Sequence, residues 1–246
     1  MVRGQPGPVL TSETTRHAGV LGSPIRHSLS PTLHVAGYEA AGLADWDYTP
    51  HEVDEGGLAP FVAGLDVMWR GLSLTMPLKV AAFDVAETVT DTARAARAVN
   101  TLVRTGTGWA GDNTDVHGVT TALREGGSSD VASATIIGSG ATARSALLGL
   151  VGLGARRITV AARTPERAEA LRDVAEVDLV VVPLADWPST GDLAFVSTLP
   201  AGEANASAAL PAEGADLAGA VLLDVVYADW PTPVARAAAA RGGSVV

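Results

Sequence analysis

Ile136-Ile137-Gly138-Ser139-Gly140-Ala141-Thr142-Ala143 decides how the chain is read. Before it, Ser133 to Ile137 reads as a buried parallel strand. After it, apolar residues recur at Ala143, Ala146, Leu147, Leu150 and Val151, which is helical spacing. Between strand and helix stands G-x-G-x-x-A. Gly138 permits a tight turn, and Gly140 lets a pyrophosphate approach the backbone. The small Ala143 lets helix and strand pack closely, with the phosphates at the helix N-terminus. Gly-Ser-Gly also makes ordinary turns, so the motif draws its weight from the strand-turn-helix setting. That setting predicts a dinucleotide cradle built from Gly138, Ser139, Gly140, Ala141 and Thr142.

Composition narrows the rest. A chain of 246 residues that is 47% hydrophobic can bury one large core or two ordinary ones. It has no cysteine, so disulfides and thiol catalysis are excluded, which fits a reducing cytoplasm. The net charge of −10 argues against nucleic acid as a partner. There is no membrane-length apolar run and no signal-peptide pattern, so no membrane partner is expected. Short apolar runs alternate with helical patterns throughout, which predicts an α/β fold. Residues 1–16 read as a loose polar tail.

In the first half, Ala18 to Leu21 reads as a strand followed by the loop Gly22 to Pro31. Ser30 is a suitable N-cap with Pro31 at the first helical position. Leu33, Ala36, Ala40 and Ala41 form an apolar stripe, and Gly42 ends the helix. The hydroxyls of Ser28 and Ser30 therefore lie near a positive helix end and could seat a carboxylate, or Ser30 could only cap. His27 and His34 have no third ligand at sensible spacing, so no metal site is expected and both read as loop or surface residues. Trp46 to Val53 and Gly71 to Thr75 read as strands flanking a short helix over Leu58 to Leu65. Pro77 suggests a helix start that puts Lys79 in its first turn, where a cation opposes the dipole. Lys79 reads either as a proton-transfer group or as a solvated lysine. Val99 to Val103 and Trp109-Ala110 are further strands. Asp115 opens a helix with Val116, Val119 and Leu123 on one face and could be only a cap. Gly126-Gly127-Ser128-Ser129 reads as a flexible link.

In the second half, Arg157 to Ala162 is the second strand of the nucleotide unit. An NAD-preferring site usually carries Asp or Glu near the end of that strand. Here the chain reads Arg163-Thr164-Pro165-Glu166-Arg167, and two arginines suit the extra phosphate of NADP. Arg167 could instead pair locally with Glu166 or Glu169. Leu179 to Val182 and Leu193 to Val196 are buried strands. Thr198 follows the second of them, at a strand edge where cofactors sit. Val221 to Tyr227 reads as another strand, Pro231-Thr232-Pro233 opens a helix, and Ser244-Val245-Val246 ends the sequence as a last strand would.

These stretches together resemble shikimate dehydrogenase. The carriers are Ser23-Pro24-Ile25 with His27-Ser28-Leu29-Ser30-Pro31, Leu74-Thr75-Met76-Pro77-Leu78-Lys79, Ala98-Val99-Asn100-Thr101-Leu102 and Asp112-Asn113-Thr114-Asp115, in the family's order. The resemblance implies an N-terminal three-layer α/β substrate domain at 17–114 and a doubly wound, Rossmann-type NADP-binding domain at 115–246. It implies reversible reduction of 3-dehydroshikimate to shikimate with NADPH, by a cytoplasmic monomer or homodimer. Ser28 and Ser30 would hold the substrate carboxylate. Thr75, Asn100 and Asp115 would bind its hydroxyls, and Lys79 with Asp115 would flank the reacting oxygen. Tyr227 would reach substrate, and Val225 would lie by the nicotinamide or pack in the core. Ser73 and Ala162 stand where the family often has asparagine. The family also continues past this point with a glycine, a Met/Leu pair and a glutamine on helices returning to the first domain, and none of these is present. The alternatives are an NAD-dependent quinate/shikimate dehydrogenase, or a ligand-binding protein of little activity.

Overall fold

The structure, a computed structural model, describes residues 15–200, 202, 215–227 and 230–246. Most of the expected tail, residues 1–14, lies outside these. Arg16 does not belong to a tail, because it begins the first strand and pairs with Asp45 at 2.7 Å.

The first sheet is built from β1 (Arg16–Gly22), β2 (Trp46–Glu52), β3 (Trp69–Leu74), β4 (Thr88–Val89), β5 (Thr101–Arg104) and β6 (Trp109–Asp112). Its order is β2-β1-β3-β5-β6-β4, with β5 antiparallel to both neighbours. Two helices, α1 (Ser30–Ala40) and α2 (Glu55–Ala63), supply the crossovers between the parallel strands. Asp54 caps α2 by accepting Gly57 N–H at 2.8 Å, so this helix starts earlier than its apolar residues suggest. Leu21, Leu58, Leu72, Leu74 and Leu78 fill the core on the α2 side, while Ala18, Val20, Ile25 and Tyr48 cluster separately.

Helix α1 departs from expectation. Leu33 is 68% exposed, and none of the helix residues is fully buried. The face turned inward is Ser30, His34 and Tyr38, spaced i, i+4, i+8, because these meet a wall of aromatic rings. His34 stacks on Tyr48 with ring centroids 3.9 Å apart, and Tyr38 lies 5.4 Å from the Trp46 ring. Stacking against Tyr48, not chain hydropathy, sets the rotation of α1, so His34 is not a free surface residue.

The second sheet contains β7 (Ser133–Ile137), β8 (Arg157–Ala162), β9 (Asp178–Pro183), β10 (Ala194–Ser197), β11 (Val221–Asp224) and β12 (Ser244–Val245). Every pairing is parallel, and the order β12-β11-β10-β7-β8-β9 is that of a doubly wound dinucleotide fold. The strand order reverses between β7 and β10, so a crevice opens beyond their C-terminal ends. Helix α5 (Ala141–Gly152) follows β7, α6 (Pro165–Glu169) follows β8, and α7 (Pro233–Ala239) precedes β12. Strand β11 ends at Asp224, so Val225, Val226 and Tyr227 form a connection beyond it. There the chain bends because the Asp224 carboxylate accepts Val226 N–H at 3.2 Å and the Thr232 hydroxyl.

Helix α3 (Asp91–Ala96) connects β4 to β5 within the first sheet, and helix α4 (Asp115–Glu125) connects the first sheet to the second. Gly149 permits α4 and α5 to cross closely: a Cβ there would lie 3.0 Å from the Val116 carbonyl. Asn113 is buried and donates to the Ala98 carbonyl at 2.9 Å and to Ser145 Oγ at 3.1 Å, tying one sheet to the other's helix. The Gly126–Ser129 stretch is no free linker. The N–H groups of Gly126, Gly127 and Ser128 all bond carbonyls of α4, and Gly126 sits against Val221 and Val246.

Candidate active site

The glycine loop meets the steric demand its sequence announced at Gly138. Gly138 has φ +110°, a region L side chains avoid, and a Cβ there would lie 2.6 Å from Thr198 Oγ1. Thr198 fills that space and donates to the Ile137 carbonyl at 3.1 Å. Around Gly140 a Cβ would meet nothing within 4 Å, so the loop is open on its outer side. Gly140 is the N-cap of α5 and no side chain caps that end, which leaves backbone N–H groups for an anion. Ala143 is fully buried, as close helix–strand packing requires.

At the end of β8, Ala162 is buried while Arg163, Thr164 and Arg167 are exposed. Among the described residues neither arginine makes an ion pair. Glu169, one expected partner of Arg167, pairs with Arg172 instead. A groove beside Arg163 is lined by Ala162, Pro165, Val182 and Leu184, apolar walls next to a free guanidinium. A concavity at Ala155, Arg156 and Asp178 lies at the opposite end of the strands, away from the glycine loop. The open cradle and the unpaired arginines fit a dinucleotide carrying an extra phosphate.

Facing that cradle are groups from the first sheet. Lys79 does not sit on a helix. Residues 76–80 are a run of turns leading to a 3-10 helix at Ala81–Asp84, and the Lys79 carbonyl accepts Val99 N–H at 2.8 Å. Lys79 is therefore acted on by a carboxylate and not by a helix dipole. Its Nζ donates to Asp115 Oδ2 at 2.6 Å, with side chains 14% and 24% exposed. The same Nζ lies 3.5 Å from Thr142 Oγ1 in the cofactor loop. An ammonium has three N–H directions. Asp115 and Thr142 take two, which leaves one for a ligand between the sheets.

Asp115 is the first residue of α4 but caps nothing; its other oxygen accepts Asn100 Nδ2 at 2.6 Å. Asn100 also donates to Thr114 Oγ1 at 3.0 Å, while its carbonyl accepts Thr114 N–H at 3.0 Å and the Thr101 hydroxyl at 2.9 Å. The amide of Asn100 is thus spent on orienting Asp115. Thr75 closes the far side, and its hydroxyl has no partner among the described residues. Its methyl group is why position 22 is glycine, since a Cβ there would be 2.3 Å away.

Ser30 is not the N-cap expected of it. Helix α1 begins at Ser30 itself, and Ser28 Oγ accepts Ser30 N–H at 3.3 Å, so Ser28 meets that need and the Ser30 hydroxyl is spared from capping. Glu52, which sequence reasoning passed over, pins the loop by accepting the Ser23 hydroxyl at 2.7 Å and Ile25 N–H at 3.1 Å. Those bonds, the Ser23 hydroxyl first, hold its carboxyl below the usual range. Tyr48 was also missed, because a Tyr at alternating spacing in a strand reads as core, and Ser73 stood out only as a departure from the family's asparagine. Val225 packs against the core of the second sheet, and Tyr227 is half exposed beyond β11. No group of three or more metal-ligating side chains gathers among the described residues, and none of their helices is long and apolar enough to cross a membrane.

A doubly wound sheet with an open glycine loop, facing an amine–carboxylate pair set beside a second α/β sheet, defines the class of two-domain dinucleotide-dependent oxidoreductases. Residues 20–102 match the shikimate dehydrogenase substrate binding domain, and residues 120–202 match shikimate/quinate 5-dehydrogenase. The chain is 38% identical over 244 residues to shikimate dehydrogenase (NADP(+)) of Citrifermentans bemidjiense, covering 93% of this chain and 82% of the relative. The crystal structure of Mycobacterium tuberculosis shikimate dehydrogenase superposes with a TM-score of 0.81 at 43% identity, covering 94% and 86% of the two chains. The Thermus thermophilus enzyme in complex with NADP(H) and shikimate gives 0.78 at 28% identity, covering 94% and 87%. The chain belongs to the shikimate dehydrogenase family.

Proposed function

We propose that this chain reduces 3-dehydroshikimate to shikimate with NADPH, reversibly, in the cytoplasm. The observation that carries the reading is the Lys79–Asp115 pair set against Thr142 of the cofactor loop. The cofactor supplies a hydride to the carbonyl carbon. As that bond forms, negative charge grows on the carbonyl oxygen, which must take a proton. The remaining N–H of Lys79 is the donor, and Asp115 keeps the ammonium oriented and stabilises its charge. In the reverse direction the amine accepts that proton. Asn100 holds Asp115, so its effect on the hydroxyls reaches substrate mainly through that carboxylate. Thr75 has a free hydroxyl for a substrate oxygen, and the Ser28–Ser30 loop takes the carboxylate. Gly138 to Thr142 cradle the pyrophosphate, while Arg163, Thr164 and Arg167 meet the extra phosphate of NADP. Ala162, Thr198 and Val225 line the cofactor crevice, and Tyr227 reaches across from the connection after β11. On this reading the chain divides before α4, with 17–114 as substrate domain, which β1 extends back to Arg16, and 115–246 as nucleotide domain; the grouping of β1 to β6 in one sheet and β7 to β12 in the other supports the division.

Steady-state turnover of shikimate and quinate with NADP and NAD tests this. Shikimate with NADP is the expected best pair, and Lys79→Met lowers turnover by about 10²–10⁴, the range of a general acid–base group. A chain that binds NADPH but reduces no 3-dehydroshikimate refutes the reading.

A further inference from the structure

Tyr48 stands in the middle of β2, only 6% exposed, and is held on both sides. Its ring lies flat against His34, with planes 10° apart, and the His34 ring is itself anchored by Nδ1 to the Ser30 carbonyl at 2.9 Å. The Tyr48 side chain spans β1, which lies between β2 and β3, and its hydroxyl donates to Ser73 Oγ at 2.8 Å. Burial pushes the phenol up, while the hydroxyls of Ser73 and Ser30 beside it act the other way. Three hydroxyls, from α1, β2 and β3, therefore gather on one face of the sheet beside the Ser28–Ser30 loop.

The direction of these bonds matters. A serine hydroxyl has one proton and two lone pairs. Because Ser73 Oγ accepts from Tyr48, its own proton is left for another acceptor, and donation into it polarises the O–H that it offers. Ser73 lies one residue before the end of β3, and Thr75 directly follows that strand. We propose that Tyr48 is a positioning residue for the substrate carboxylate, acting through Ser73, whose proton it frees and aims. The inference rests on the proposed function, because it needs a carboxylate-bearing substrate on the Ser28–Ser30 loop. It assigns a role to the serine at position 73: an acceptor for Tyr48 on one side and a donor to the carboxylate on the other. No cation among the described residues is hydrogen-bonded to these hydroxyls, so the anion is held by neutral donors whose proton directions must be fixed in advance.

The test is Tyr48→Phe, which keeps the ring and its stacking. We expect KM for shikimate to rise roughly tenfold, the scale of one hydrogen bond to a charged group felt through an intermediary. Saturating kcat, NADPH binding and the thermal midpoint should change little. Ser73→Ala should give the same loss, and the double variant no more than either single one, because the two act as one chain. With the neutral methyl ester of shikimate the ratio between wild type and Tyr48→Phe should fall to near one. Equal losses on acid and ester, or additive losses in the double variant, would make Tyr48 a packing residue and overturn the proposal. If Tyr48→Phe does not fold, Ser73→Ala on acid and ester decides alone. Wild-type turnover of shikimate, measured in the same series, keeps this failure separate from failure of the proposed function.

Discussion

Asp115 offers the sharpest test of the mechanism, because both its oxygens are committed. Oδ2 accepts Lys79 Nζ at 2.6 Å and Oδ1 accepts Asn100 Nδ2 at 2.6 Å. Asp115→Asn is nearly isosteric but carries one acceptor and one NH2. Either orientation of the amide sets a donor against a donor, at Lys79 or at Asn100. Asn100 cannot rotate to relieve this, because its carbonyl already accepts from Thr114 and Thr101. The variant therefore loses at least one charge-assisted bond of about 1.5–3 kcal/mol, or roughly 10- to 150-fold in kcat. The cofactor loop does not depend on this carboxylate, so NADPH affinity should stay as it was. Initial rates from NADPH absorbance, with NADPH binding measured by fluorescence titration, give the two quantities. Lys79→Met combined with Asp115→Asn should be little worse than Lys79→Met alone, since groups that act as a unit are not additive. Near wild-type kcat in Asp115→Asn, with Lys79→Met crippled, would show that the amine works without its carboxylate, and the orientation argument would be refuted.

Replacing Arg163 and Arg167 with neutral residues should weaken NADPH by roughly 2–5 kcal/mol while leaving NADH nearly unchanged; equal losses for both cofactors, read by titration, would place the arginines elsewhere on the nucleotide. Gly138→Ala meets both an unfavourable φ of +110° and Thr198 Oγ1 at 2.6 Å, so NADPH binding and the thermal midpoint should both fall; a variant with unchanged Kd would mean the loop tolerates displacement. Asp224 is buried, and burial is the largest cause holding its carboxyl above the usual range. Its proton is then held more tightly in the folded chain than in the unfolded one, so this group's contribution to stability falls as pH rises through the raised value. Asp224→Asn removes that term, so its stability relative to wild type should improve as pH rises above about 4 in urea titrations. A pH-independent difference would assign Asp224 an ordinary carboxyl.

What was legible in the sequence depended on whether a residue's constraint was local. Gly138 announces itself because a tight turn and the space for Thr198 both forbid a side chain, and strand β7 and helix α5 stand immediately on either side. The α/β class followed from alternating strands and helices, while the doubly wound domain was what the glycine loop and the family resemblance implied. At Lys79 the helix-start reading failed, because proline does not start a helix there; the family resemblance had set the amine beside Asp115, thirty-six residues away, and that carboxylate is the charge that acts on it. The rotation of α1 was misread because hydropathy assigns Leu33 inward, whereas a ring stack against Tyr48 turns Ser30, His34 and Tyr38 to the sheet. That stack joins two elements, and no spacing rule within α1 reports it. The same misreading hid part of the candidate site. Once α1 is turned, Ser30 stops being a cap and becomes one of three hydroxyls meeting above β1, and Ser73, which the sequence showed only as a departure from the family's asparagine, becomes a directed donor. The chemistry of the amine end is written in motifs that keep their spacing along the chain. The carboxylate end is set by contacts among α1, β2 and β3, so its specificity can drift while every motif at the amine end stays intact.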